Sequence, residues 1–134
     1  MEFLEEIKKI VKWYEGISKG YNNLEILMEA RRKLNSKSYY LAEIVGEMKY
    51  NYDIAYGERK IAIATTKAEL MDSGESAAKA ETRAVKENVE VIRKEKELEG
   101  TYYRLRLLLS QANELSSTLH QHISNLKIEK SGDN

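Results

Sequence analysis

Two clusters of cations with tyrosines are the residues in this chain best suited to act on a ligand. Arg31, Arg32, Lys33 and Lys37 are followed at once by Tyr39 and Tyr40, and Tyr102, Tyr103, Arg104 and Arg106 repeat the combination later. Arg and Lys pair with phosphates, and bases stack on aromatic rings. Arg31, Arg32, Lys33, Lys37, Tyr39, Tyr40, Tyr103, Arg104 and Arg106 therefore form a candidate nucleic-acid-binding set. The plainer account makes the tyrosines packing residues and the charges a solvated rim. His120 and His122, two residues apart, fall on different faces of a helix and cannot chelate one metal from it. They read as exposed or interface histidines.

The carboxylates offer little more. Glu2 and Glu5, Glu69 and Asp72, and Glu87 and Glu90 each stand three apart. Helical nucleotide pyrophosphatases place such pairs on adjacent helices to bind magnesium. Here Lys and Arg crowd two pairs around a turn, the third is far upstream, and 33% of the chain is charged, so chance spacing accounts for them. Cys is absent, which excludes disulfides, thiol catalysis and Cys-based zinc sites. With no phosphate loop either, the sequence predicts no enzyme, no metal, no cofactor and no small-molecule substrate. Lys+Arg and Asp+Glu are both 22, so no global field draws in nucleic acid or an anionic membrane. The start, MEFLEEIKK, has neither a signal-peptide nor a membrane-span pattern, and a cytoplasmic protein without a membrane partner is expected.

These residues must be held by helices. Pro is absent and Gly sparse in the 134 residues, enough for one domain. Seven-residue steps from Ala77 reach Ala84, Val91, Leu98, Leu105, Ala112, Leu119 and Leu126, all apolar, which predicts one long helix with a buried seam over about 76–128. Phe3, Ile7, Ile10, Tyr14, Ile17, Tyr21, Leu24 and Met28 alternate steps of four and three, a first helix over about 2–34. Gly16 and Gly20 interrupt it, and the alternative is a break there into two short helices. Leu34-Asn35-Ser36 reads as its end, since Asn and Ser are both good N-cap types for the next helix. A second helix takes about 37–71, where Gly46 and Gly57 could admit a close neighbour. Asp72-Ser73-Gly74-Glu75 is a turn with Gly74 at positive φ, and the third helix returns antiparallel. Residues 129–134 read as a frayed tail.

The fold class expected is all-α: a long antiparallel helical hairpin or three-helix, coiled-coil-like bundle in a single domain. Folding about Gly74 sets residues equidistant from it side by side, bringing Tyr39 and Tyr40 toward Tyr102 to Leu109. The leucine-rich end of the third helix is wider than one partner helix needs. Leu98, Leu105, Leu108, Leu109, Leu115, Leu119, Ile123 and Leu126 are therefore the candidate interface of a homo-oligomer. The first helix covers this end within the chain or swapped from a second copy.

The segments SGESAAKAETRAVKEN, YYRLRLLL and LHQHISNLK, between Thr66 and Lys127, resemble small helical-hairpin proteins encoded in bacteriophage replication and recombination regions. The resemblance implies a cytoplasmic, oligomeric accessory protein of phage DNA metabolism, with DNA or a DNA-metabolism protein as partner and no catalytic residues. The function expected is a non-enzymatic interaction or assembly protein. The alternative is a coiled-coil adaptor that binds another protein and no nucleic acid. A DNA binder needs its basic residues free on one face; an adaptor needs an exposed apolar groove.

Overall fold

A computed structural model describes residues 2–132. Among them are four helices and no strand: α1 (Glu2–Gly16), α2 (Leu24–Asp72), α3 (Ala77–Glu87) and α4 (Val89–Gly132). The all-α class follows from the heptad seams, which no strand periodicity accommodates. Packing divides the chain into two compact units. One holds the residues up to Ile44 together with those from Leu105 onward; the other is Val45–Arg104.

The second unit is a hairpin. Gly74 takes φ 103°, the conformation a side chain disfavours. The Glu75 amide donates to the Leu70 carbonyl at 3.1 Å and the Gly74 amide to Met71 at 3.0 Å, a Schellman motif that satisfies the last carbonyls of α2. Ser76 then caps α3, its hydroxyl accepting from the Lys79 amide. The hairpin core is small, with Ala55, Ala80 and Ala84 fully buried. Polar and aromatic layers add to it at seven-residue intervals on both helices. Asn88 Nδ2 donates to Thr66 Oγ1 at 3.0 Å, Arg59 forms an ion pair with Glu95, and Tyr52 stacks on Tyr102 at 6.2 Å. Polar groups at seam positions fix register, because a slip would cost each half-buried group its partner and leave buried Glu95 without its cation. The register differs from simple folding about Gly74: Thr66 meets Asn88, where that symmetry would bring residue 82.

The predicted single helix over 76–128 is interrupted at Asn88. The Asn88 side chain donates to the Ala84 carbonyl at 2.7 Å, the acceptor its own amide would use in an α-helix. The amide turns to Val85 instead at 3.2 Å, and the helix resumes with Ile92 donating to Asn88. A side-chain amide competing for a backbone acceptor is enough to pinch one turn. At the far end, α4 continues helical through the predicted tail to Gly132.

The first unit packs α1, the start of α2 and the end of α4 around Ile7, Leu27, Leu34, Leu41, Ala112 and Leu119, all fully buried. Two predicted boundaries change here. The first helix ends at Gly16, where the alternative put a break, rather than 34, and Asn23 starts a new one: its side chain accepts from the Ile26 amide at 3.2 Å, its carbonyl from Leu27. That helix runs through Leu34-Asn35-Ser36, because Leu27, Leu34 and Leu41 stay in phase across it and a break would uncover them. Asn35 is no cap; its side-chain oxygen accepts from Ser116 Oγ on α4. A Cβ at Gly46 or Gly57 would meet nothing within 4 Å, so neither glycine marks the close approach the sequence allowed.

Candidate functional site

The nine candidate nucleic-acid residues do not fall in one unit. Tyr103 and Arg104 belong to the second and the other seven to the first. In the second unit Tyr102 is buried on Tyr52, Tyr103 is exposed, and Arg104 donates to Thr101 Oγ1 at 3.3 Å. In the first, Tyr39 and Tyr40 are exposed and meet edge to face at 5.8 Å, and Arg106 is exposed.

The basic residues on α2 are largely neutralised by neighbours. Arg32 donates to both carboxylate oxygens of Glu29, at 2.9 and 2.6 Å, and Lys33 lies 3.9 Å from the same group. Lys37 reaches Glu6 on α1 at 2.8 Å. The Lys37 hydrogen bond holds the Glu6 carboxyl below its usual range, and the Arg32 hydrogen bond does the same to Glu29. Lys37 and Arg32 are raised in turn by these carboxylates. Arg31 differs. It is half-buried, and its Nε donates to the Ser116 carbonyl of α4 at 3.1 Å.

The predicted interface also divides. Leu119, Ile123 and Leu126 are 0, 7 and 8% exposed, buried by the chain's own first unit, so they have little surface for a second copy. The heptad pattern marks burial and cannot say which chain supplies the cover. Leu98, Leu105, Leu108, Leu109 and Leu115 are half-buried, and the neighbouring Leu107 is 61% exposed.

The largest departure from the sequence reading is a groove between α1 and α2. Ile10, Trp13, Ile26 and Ala30 line an open cavity of about 420 Å³, rimmed by Lys9, Lys33, Glu25 and Glu29. Trp13 is held against Tyr21 of the connecting segment, ring edge to face at 5.9 Å. A second cavity of about 570 Å³ shares Lys9, Ile10 and Lys33 with the first and adds Glu6, Arg32 and Lys37. The two make one trough, apolar at the Trp13 end and charged at the other, where Lys37 pairs with Glu6 and Lys9 makes no ion pair among the described residues. Trp13 lies off the α1 seam that runs through Ile7, Ile10 and Tyr14, and that off-seam position was the available signal for it.

The two histidines have separate surroundings. His122 is clamped: Nε2 lies 2.8 Å from the Tyr21 carbonyl and Nδ1 3.2 Å from the Tyr14 hydroxyl. Nε2 donates to the carbonyl, which can only accept, and Nδ1 shares a hydrogen with the Tyr14 hydroxyl. His120 is exposed and lines a different groove, between α2 and α4. Three of the six paired carboxylates are occupied locally. Glu5 meets Lys8, Glu87 meets Arg83 and Glu90 meets Arg93. Among the described residues no helix is long and apolar enough to cross a membrane.

No family model matches the chain, and neither a curated protein nor a solved structure matches it.

Proposed function

We propose that this chain is a non-enzymatic interaction module that docks an amphipathic helix of a partner protein in the α1–α2 trough. The carrying observation is the continuity of the two cavities, an apolar floor with Trp13 running past Lys9, which makes no ion pair among the described residues, into the pairs of Lys33 with Glu29 and Lys37 with Glu6. Helix-in-groove recognition uses apolar anchors on one face, with flanking charges setting direction. The occupant that complements this trough has aromatic or aliphatic anchors at three- and four-residue steps and a carboxylate near one end to meet Lys9. Pairing of Arg32, Lys33 and Lys37 with acids of the same chain favours this reading over a nucleic-acid surface. The resemblance to phage replication-region proteins suggests a protein of DNA metabolism as the source of the helix.

The chain has one tryptophan, so Trp13 reports occupancy directly. A synthetic amphipathic peptide with an acidic end is titrated into the full chain to about 100 μM, deep enough for weak helix–groove binding. The expected result is a saturable blue shift, weaker for a peptide with the acids replaced by Lys and absent in Ile26→Glu. No shift with either peptide overturns the proposal. A second reading rests on exposed Leu107 beside half-buried Leu105, Leu108 and Leu109, which would let two copies pair. Sedimentation of wild type and Leu107→Asp over a concentration series decides it: a single monomer species throughout rejects pairing.

A further inference from the structure

The groove on the other side of α2 has a different chemistry. It lies between α2 and α4 in the first unit, encloses about 390 Å³, and is lined by Arg31, Asn35, His120, Ser124 and Lys127 over Met28 and Ile123. Arg32 also borders it, committed to Glu29 through two hydrogen bonds. No carboxylate lines this groove.

The donors are largely uncommitted. Arg31 spends its Nε on the Ser116 carbonyl, and that bond fixes the plane of the guanidinium while leaving the terminal N–H groups for another acceptor. Asn35 uses its oxygen to accept from Ser116 Oγ, so its amide N–H groups remain to donate. Ser116 thus holds both residues, one through its carbonyl and one through its hydroxyl. Across the groove, Lys127 and His120 make no ion pair or side-chain hydrogen bond among the described residues, and neither does Ser124. Two cations with amide, hydroxyl and imidazole donors, and no competing acid, match an anion with several acceptor oxygens. A preoriented guanidinium favours a tetrahedral oxyanion that can take two parallel bonds.

We infer that this α2–α4 groove binds a phosphate group, with Arg31 and Lys127 neutralising it and Asn35, His120 and Ser124 donating to its oxygens. The site uses Arg31 from the candidate set and three residues of α4 that the set does not contain. It is independent of the α1–α2 trough, whose occupant is a protein helix. A free phosphate ester and the backbone of a nucleic-acid strand present the same group, and the groove recognises that group in either.

The test is a titration of the isotope-labelled full chain by amide NMR, with sodium pyrophosphate against sodium chloride at matched ionic strength. Saturable shifts confined to residues 31–35 and 120–127, produced by pyrophosphate alone, are expected. Lys127→Gln and His120→Gln should each weaken binding severalfold with unchanged thermal melting, because both side chains are exposed, whereas Arg106→Gln should leave it unaltered. A second arm adds a short oligothymidylate: competition for the same signals identifies a strand as a source of the phosphate, and its absence identifies a free ester. No saturable shift at 10 mM pyrophosphate, on the order of the weakest specific binding, overturns the inference. Equal weakening by Arg106→Gln also overturns it, since that would be diffuse charge attraction.

Discussion

The Arg59–Glu95 layer is the sharpest place to test how the second unit is held. Glu95 is 2% exposed and the Arg59 side chain 26%, so the two charges are unequally stripped of water. Arg59→Met leaves a buried carboxylate without its cation, and about 3 kcal/mol of stability should be lost, the low end of what a broken buried pair costs. Glu95→Leu leaves an arginine that can still reach solvent, and the loss should be about 1 kcal/mol. The double variant Arg59→Met with Glu95→Leu replaces the pair by apolar contact and should come within about 1 kcal/mol of wild type, since such exchanges are often neutral or stabilising. The four proteins form a double-mutant cycle with a coupling of at least about 3 kcal/mol, read from urea unfolding followed by far-ultraviolet circular dichroism. If the double variant is as unstable as the sum of the singles, the pair is not what makes each residue costly alone, and the layered account of the hairpin is wrong.

Gly74→Val forces a branched side chain into positive φ and should destabilise by about 1–2 kcal/mol in thermal melting, with Gly46→Ala neutral or stabilising as the control. Leu119→Ala, in the core of the first unit, should cost about 2–5 kcal/mol, while Leu107→Ala should stay within about 0.5; chemical unfolding separates them. Glu6 titrates below its ordinary value of 4.5, so its stabilising pair with Lys37 is complete above that value and lost as pH falls through the lower folded-state value. Acid melting should be steeper in wild type than in Lys37→Gln over this range, and parallel curves would show that α1 does not depend on the pair.

Much of the fold can be read in the chain because burial leaves a period. Ala84 to Leu126 is a seam in the sequence and, apart from the pinch at Asn88, a seam in the structure. Gly74 is legible because few other residues suit that backbone. The α1–α2 break is legible only as the alternative at Gly16 and Gly20, since Ile17 and Tyr21 keep heptad phase through a segment that is not helical, and the Asn23 cap is a single residue in a polar run. Asn35-Ser36 misleads for the converse reason: cap-forming types sit inside a helix whose buried leucines outweigh their preference. Register is invisible to turn symmetry, because pairing partners such as Thr66 and Asn88 choose it. Among the candidate site residues, Arg31 is legible as a cation, but neither its bond to Ser116 nor the acids neutralising its neighbours can be read from residue type alone. His122 is hardest of all, since one of its partners is a backbone carbonyl.

That histidine also orders events during synthesis. Tyr14 and Tyr21 precede His122 by 108 and 101 residues, so the N-terminal helix leaves the ribosome long before the ring that fastens it exists. Only after the hairpin has closed and the last turns of α4 have emerged can α1 be latched, a contact of very high sequence separation that forms late by its loop-closure cost. Until then Tyr14 of α1 lacks its α4 partner, and a chain stopped short of residue 122 would leave it so.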